Sequence, residues 1–141
     1  MSSHQDSDAA IEAAILEAEA ATSAEIRVFI TRHAPDKATA EAEARRRFER
    51  MGMTRTPLRN AVLILVAPAS AQVAVAADES VRMRMGTIFA ATLRRVASRK
   101  LGTDPQEAIL AVVRSAGRAL ARRFPRSDFD RDDFSNGVLR D

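Results

Sequence analysis

The sequence predicts an α/β fold, a three-layer α/β/α sandwich built on a small mixed sheet with one parallel crossover and one antiparallel hairpin. Three observations support this class. Helical periodicity recurs before, between and after three β-rich segments. The run Val62-Leu63-Ile64-Leu65-Val66 is apolar at every position, as expected where both faces of a strand are covered. Connections then set the directions. A helix joins the first two strands, which makes them a parallel right-handed crossover, and a short turn joins the second and third, which makes them an antiparallel hairpin.

Residues 1–7 are polar and aperiodic and are expected to be disordered, so a single domain is read over 8–141, with an acidic C-terminal segment at 126–141. From Asp8 onward, Ile11, Ala14, Ile15 and Ala18 recur at helical spacing. Ile26, Val28 and Ile30 then share one face of a strand. Asp36 is placed to cap a second helix, whose apolar stripe is Ala40, Ala44, Phe48 and Met51 and which stops near Gly52. On that helix Glu41 with Arg45, and Glu43 with Arg47, have the spacing of surface ion pairs, so the Arg45-Arg46-Arg47 run requires no nucleic acid to explain it. A buried hairpin follows at 61–77 and ends at Asp78. Helix resumes from Glu79, with Ile88, Phe89, Leu93 and Val96 facing inward, and Gly102 stops it. Asp104, Pro105 and Glu107 start the last helix, which buries Ile109, Val112, Val113, Ala116 and Leu120 and sets Arg114, Arg118 and Arg122 four apart on its other side.

Composition narrows the chemistry. With 141 residues and 46% hydrophobic content the chain supports one core, and its net charge of +3 is only a weak pointer to an anionic partner. Cysteine is absent, which removes disulfides, thiol nucleophiles and thiolate metal sites. His4 and His33 are the only histidines, one in the N-terminal stretch and one in a turn, so neither a histidine triad nor a zinc site is expected. The five glycines are isolated and form no phosphate cradle. Trp and Tyr are missing, which leaves the arginine-rich helix without the stacking platforms of single-strand binders. No nucleotide, haem or zinc cofactor is expected, and nucleic acid is a poor fit as partner. No secretory signal and no apolar run of about 20 residues is visible, so a cytoplasmic protein, or a soluble piece of a larger one, is expected.

Two places concentrate carboxylates or present one at a strand end. Asp128, Asp130 and Asp132 have the spacing of the first ligands of a calcium loop. The pattern then breaks, because Asp133 stands where the loop needs glycine and Leu139 where it needs a bidentate glutamate. An EF-hand is excluded, leaving a looser oxygen-ligand site for Ca2+ or Mg2+ beside the plainer reading of a solvated acidic turn. Asp78 ends the hairpin, a position suited to a ligand in an open α/β sheet and equally to the N-cap of the helix that follows.

Three segments carry a specific resemblance. Thr22-Ser23-Ala24-Glu25-Ile26-Arg27-Val28, then Phe48-Glu49-Arg50-Met51-Gly52-Met53-Thr54-Arg55-Thr56, then Arg59-Asn60-Ala61-Val62-Leu63-Ile64 resemble the TSGEIRV, F-x-x-LGM-x-x-T and RNGVLI segments of the TPM domain family, also called the TPM phosphatase family. Asp78 falls on that family's GD-x-GI turn, and Phe124-Pro125 with Asp130 on its late FP and D-x-NELP region. The resemblance spans about Ile11 to Val138 and implies a stand-alone soluble member with an α/β/α sandwich. For some relatives it implies acid phosphatase activity or divalent-cation binding. The chain departs from the pattern at Ala77-Asp78-Glu79-Ser80-Val81, which lacks the glycines that permit close backbone approach, at Phe89 in place of tryptophan, and at Asp132-Asp133-Phe134.

Two functional readings follow. In one, Asp78 with Asp128, Asp130, Asp132 and Asp133 holds a divalent cation, and any phosphatase-like activity is weak or vestigial. In the other, the domain is a non-catalytic interaction module that docks on a protein partner through its arginine-rich helix faces.

Overall fold

Alternation of apolar residues along the strands gives one sheet two separate cores. The computed structural model of the chain describes residues 3–52, 60–126 and 137–141. Its sheet has the order β3-β2-β1-β4. Strand β1 (Glu25–Ile30) runs parallel to β2 (Ala61–Ala67), with Glu25 opposite Ala61 and Ile30 opposite Val66. β2 pairs antiparallel with β3 (Gln72–Ala77) through a 3-10 turn at Pro68–Ser70. All seven residues of β2 are buried, as its unbroken apolar run predicts for a strand covered on both sides.

On one face lie α1 (Ser3–Glu19), α3 (Glu79–Met85), α4 (Ile88–Ser98) and α5 (Pro105–Arg123). They cover Ile26, Val28, Ile30, Val62, Ile64 and Val66 with Ile11, Ile15, Phe89, Leu93, Val112 and Leu120. Among the described residues the other face is covered by one helix, α2 (Lys37–Arg50), whose Ala40, Ala44 and Phe48 meet Phe29, Leu63, Leu65 and Ala74. Both expected aspartate caps are present. Asp36 accepts the Thr39 amide at 2.8 Å and Asp104 accepts the Glu107 amide at 3.2 Å, each satisfying one free donor at a helix start.

Four features differ from the sequence reading. Helix α1 starts at Ser3 rather than Asp8, so helical backbone extends into the stretch expected to be disordered. The helix expected from Glu79 is two helices, broken where Gly86 adopts a φ of +63°, a conformation that costs a side-chain-bearing residue. A fourth strand, β4 (Val138–Arg140), closes the acidic segment and runs parallel to β1 from Val28 to Ile30. Finally, Arg45 has left its predicted partner Glu41: it stacks 5.3 Å from the centre of the Phe48 ring and reaches the Ala77 carbonyl at 3.4 Å. Glu43 and Arg47 do pair, at 2.6 Å.

Packing between α1 and α5 depends on Gly117, since a Cβ there would lie 2.6 Å from the Ala18 Cβ. Among the described residues no helix is long and apolar enough to cross a membrane.

Candidate site at the amino-terminal edge of the sheet

Because β3 runs against β1 and β2, its last residue arrives where the parallel strands begin. Asp78 therefore stands at their amino-terminal edge, opposite the carboxyl edge at which open α/β sheets ordinarily build sites. Its amide donates to the Ala61 carbonyl at 2.9 Å, continuing the ladder one residue past the strand. One carboxylate oxygen accepts the Glu79 amide at 3.1 Å, and its carbonyl accepts the Arg82 amide to open α3. Asp78 is thus the N-cap that the plainer reading expected, yet it is 2% exposed, far more buried than a helix cap requires.

Neighbouring polar groups at this edge are also buried. Asn60, next to the Ala61 that holds Asp78, is 2% exposed and donates from Nδ2 to the Ser23 hydroxyl at 3.0 Å. The Ser23 amide donates to the Phe124 carbonyl at 2.9 Å, and the Thr22 hydroxyl donates to the same oxygen. Thr22 bridges to Pro125, and Arg126 donates to the Glu19 carbonyl at 3.0 Å. From the other side, Arg84 of α3 stacks 5.0 Å from the centre of the Phe124 ring and donates to the Arg123 carbonyl. The chain consequently enters its acidic run at the edge where Asp78 is buried.

A second cluster there has a structural role. Among the described residues β4 pairs with the second half of β1 only, and side chains meet the Ile26 backbone. Glu19 accepts the Ile26 amide at 2.7 Å, and Arg27 donates to the Ile26 carbonyl at 2.9 Å, to Glu25 at 2.8 Å and to Glu19 at 3.4 Å. Side chains thereby occupy the edge that another strand would otherwise extend. Arg27 is 5% exposed, and nothing in the alternating pattern of its strand singled it out.

The carboxyl edge carries groups that sequence reasoning passed over. Asp141 accepts the Thr31 hydroxyl at 2.6 Å and the Arg32 amide at 3.1 Å, with His33 Nε2 at 3.7 Å. Partial burial pushes the Asp141 carboxyl up, but the Thr31 and Arg32 hydrogen bonds outweigh it and hold it below the ordinary value. His33 is thus at the opposite edge from Asp78, and His4 lies in the first turn of α1. The candidate ligands Asp128, Asp130, Asp132 and Asp133 lie outside the described residues. Among the described residues no three His, Asp or Glu side chains stand close enough to hold a metal ion.

Comparisons with known proteins bear on the fold. The family model for the TPM domain matches residues 4–119, which includes Asp78 and ends before Phe124 and the acidic run. The NMR structure of the BA42 protein from the psychrophilic bacterium Bizionia argentinensis is similar at a TM-score of 0.83 and 27% identity, over 96% of this chain and 93% of that one. Among curated proteins none matches the chain.

Proposed function

The chain belongs to the TPM domain family, and on that premise we propose that it is a divalent-cation-binding domain, with Asp78 as the anchoring ligand and the carboxylates of 128–133 completing the site. The observation that supports this reading is the burial of Asp78 at the edge where Pro125 and Arg126 lead the chain into the acidic run. Asn60 and Ser23 add neutral oxygens on the adjoining residues. An all-oxygen donor set of this kind suits Ca2+ or Mg2+ and disfavours zinc.

When bound, such a cation would polarise a phosphoryl oxygen or activate water, which is the chemistry a weak or vestigial phosphatase-like activity would draw on. The residues of the chain contribute binding and orientation. Asp78 is held in place by the Ala61 carbonyl and by its own cap of α3, and no cysteine exists to act as nucleophile.

Calorimetric titration with CaCl2 and with MgCl2 tests the reading. Wild-type protein should bind with a Kd on the order of 10⁻⁴–10⁻³ M, as open oxygen-ligand sites do. Asp78→Asn, and separately the change of all four tail aspartates to asparagine, should each weaken binding by about tenfold or more, equivalent to about 1.4 kcal/mol. Unchanged affinity in Asp78→Asn, or no heat in the wild type, would remove the proposal.

A further inference from the structure

A net charge of +3 conceals how unevenly charge is distributed. Segments 80–103 and 108–127 contain eleven of the 22 Lys and Arg residues and none of the 19 Asp and Glu residues. The first holds nearly all of α3 and the whole of α4, the second most of α5; on one face of the sheet α4 and α5 pack side by side, and Arg84 of α3 reaches Arg123 and Phe124 at the end of α5. Arg82, Arg84, Arg95, Arg118, Arg122 and Arg123 are all exposed. Arg114 of α5 reaches Glu107 at 4.0 Å.

The same region carries apolar side chains that solvation does not explain. Met83 on α3 is 79% exposed and Ile88 at the start of α4 is 69% exposed. Beside Ile88, a cleft of about 260 Å³ opens between the first half of α4 and the last half of α5. Met85, Ile88, Phe89, Leu93 and Ala119 line it, and Arg122 and Arg123 border it. Its described lining contains no carboxylate.

We propose that this face docks an acidic amphipathic segment of another protein, which places an apolar side chain in the α4–α5 cleft and its carboxylates against the surrounding arginines. Charge complementarity specifies the acid: guanidinium forks match carboxylates bidentately, and among the described residues no carboxylate lines the cleft that Arg122 and Arg123 border. The cleft specifies the apolar anchor. A groove between two helices accepts the knob of an amphipathic helix, and Met85 in its lining adapts to the shape presented. A planar lipid surface would meet Met83 and Ile88 yet leave the cleft unfilled. Nucleic acid would meet the arginines but has no side chain to enter the cleft. The cleft is separate from Asp78, which lies beyond the opposite end of α3 from Met85.

The probe is a capped synthetic helix of about 15 residues, long enough to be partly ordered, with Leu at i, i+3, i+4 and i+7 and Glu on its flanks. Added to 15N-labelled protein, it should shift the amides of Ile88, Phe89, Leu93 and Ala119. A peptide with every Leu changed to Ser, the Arg118→Glu/Arg122→Glu protein, and the Ile88→Asp protein should each bind about tenfold more weakly or worse. Arg118, Arg122 and Ile88 are exposed, so these variants should fold, and far-ultraviolet circular dichroism checks that they do. The Asp78→Asn protein should bind the peptide as the wild type does, whatever its cation affinity. Equal binding of the Ser peptide would reduce the interaction to bare charge attraction and overturn the proposal. So would shifts confined to other elements, or retention on phosphatidylglycerol vesicles without peptide binding.

Discussion

On α2, the one helix over its face of the sheet among the described residues, arginines are turned to internal contacts: Arg47 stacks 4.4 Å from the centre of the Phe29 ring and bonds Glu43, Arg46 pairs with the same glutamate, and Arg45 lies over Phe48. Across the sheet, Arg95, Arg118 and Arg122 of α4 and α5 project into solvent with no carboxylate near them among the described residues. The difference follows from how each layer is held. Four helices on one face brace one another through a shared apolar core, so their outer side chains are not needed for packing. A lone helix with two alanines and one phenylalanine as its buried residues gains from every further contact, including cation–π stacking worth about 0.5–1 kcal/mol. The same residue type is therefore turned inward on one face and, Arg84 over Phe124 apart, mostly exposed on the other.

The comparison is tested most severely at Phe48. It is fully buried and is the one bulky residue that α2 inserts, so Phe48→Ala should cost about 3–5 kcal/mol in urea unfolding. Hydrogen exchange in that variant should show α2 amides opening well before those of α5. Uniform loss of protection would mean that the two layers fail together and that α2 is not a separately held element.

Arginine substitutions sharpen the contrast at smaller scale. Arg47→Ala should lower stability by about 1 kcal/mol, from the lost ring contact and ion pair. Arg122→Ala should stay within about 0.5 kcal/mol of wild type, as an exposed side chain without an internal partner. Equal losses in matched thermal melts would erase the distinction between the faces.

The smallest effect concerns pH. The Arg47 hydrogen bond, against a lesser penalty from burial and with help from Arg46, holds the Glu43 carboxyl below its ordinary value. A carboxyl whose folded value is depressed contributes fully above its unfolded value, near pH 4 for glutamate, and loses that contribution as pH falls through the lower folded value. Glu43→Gln should accordingly flatten the decline of stability below about pH 4, measured as urea midpoints across an acid series. An unchanged slope would assign that decline to other groups, Asp141 first among them.

Much of this architecture was legible because it is local. The hairpin at 61–77 and the caps at Asp36 and Asp104 each depend on a few neighbouring residues and stand where the spacing predicts, whereas Ile88, expected to face inward with Phe89, Leu93 and Val96, is exposed at the start of its helix. Strand β4 was not legible, because three residues are too few to show a period and their pairing partner is more than a hundred positions away. The break at Gly86 had one signal, a lone glycine inside an apolar helical stripe, but a glycine in that setting is often tolerated without a break. Arg27 had none: a charged residue in a strand reads as solvent-facing until the length of the neighbouring strand is known. Asp78 was found by its place in sequence, and its near-complete burial came only from the helices and strand ends packed about it.

By itself the sequence determined the fold class, the parallel and antiparallel strand pairs, the family and the number of charges, since periodicity, loop length and local motifs record these directly. Tertiary structure alone decided which edge Asp78 occupies, which arginines are taken up by their own chain and which are exposed around an apolar cleft. Those are contacts between segments far apart in the chain, and their energies arise only when burial brings the segments together.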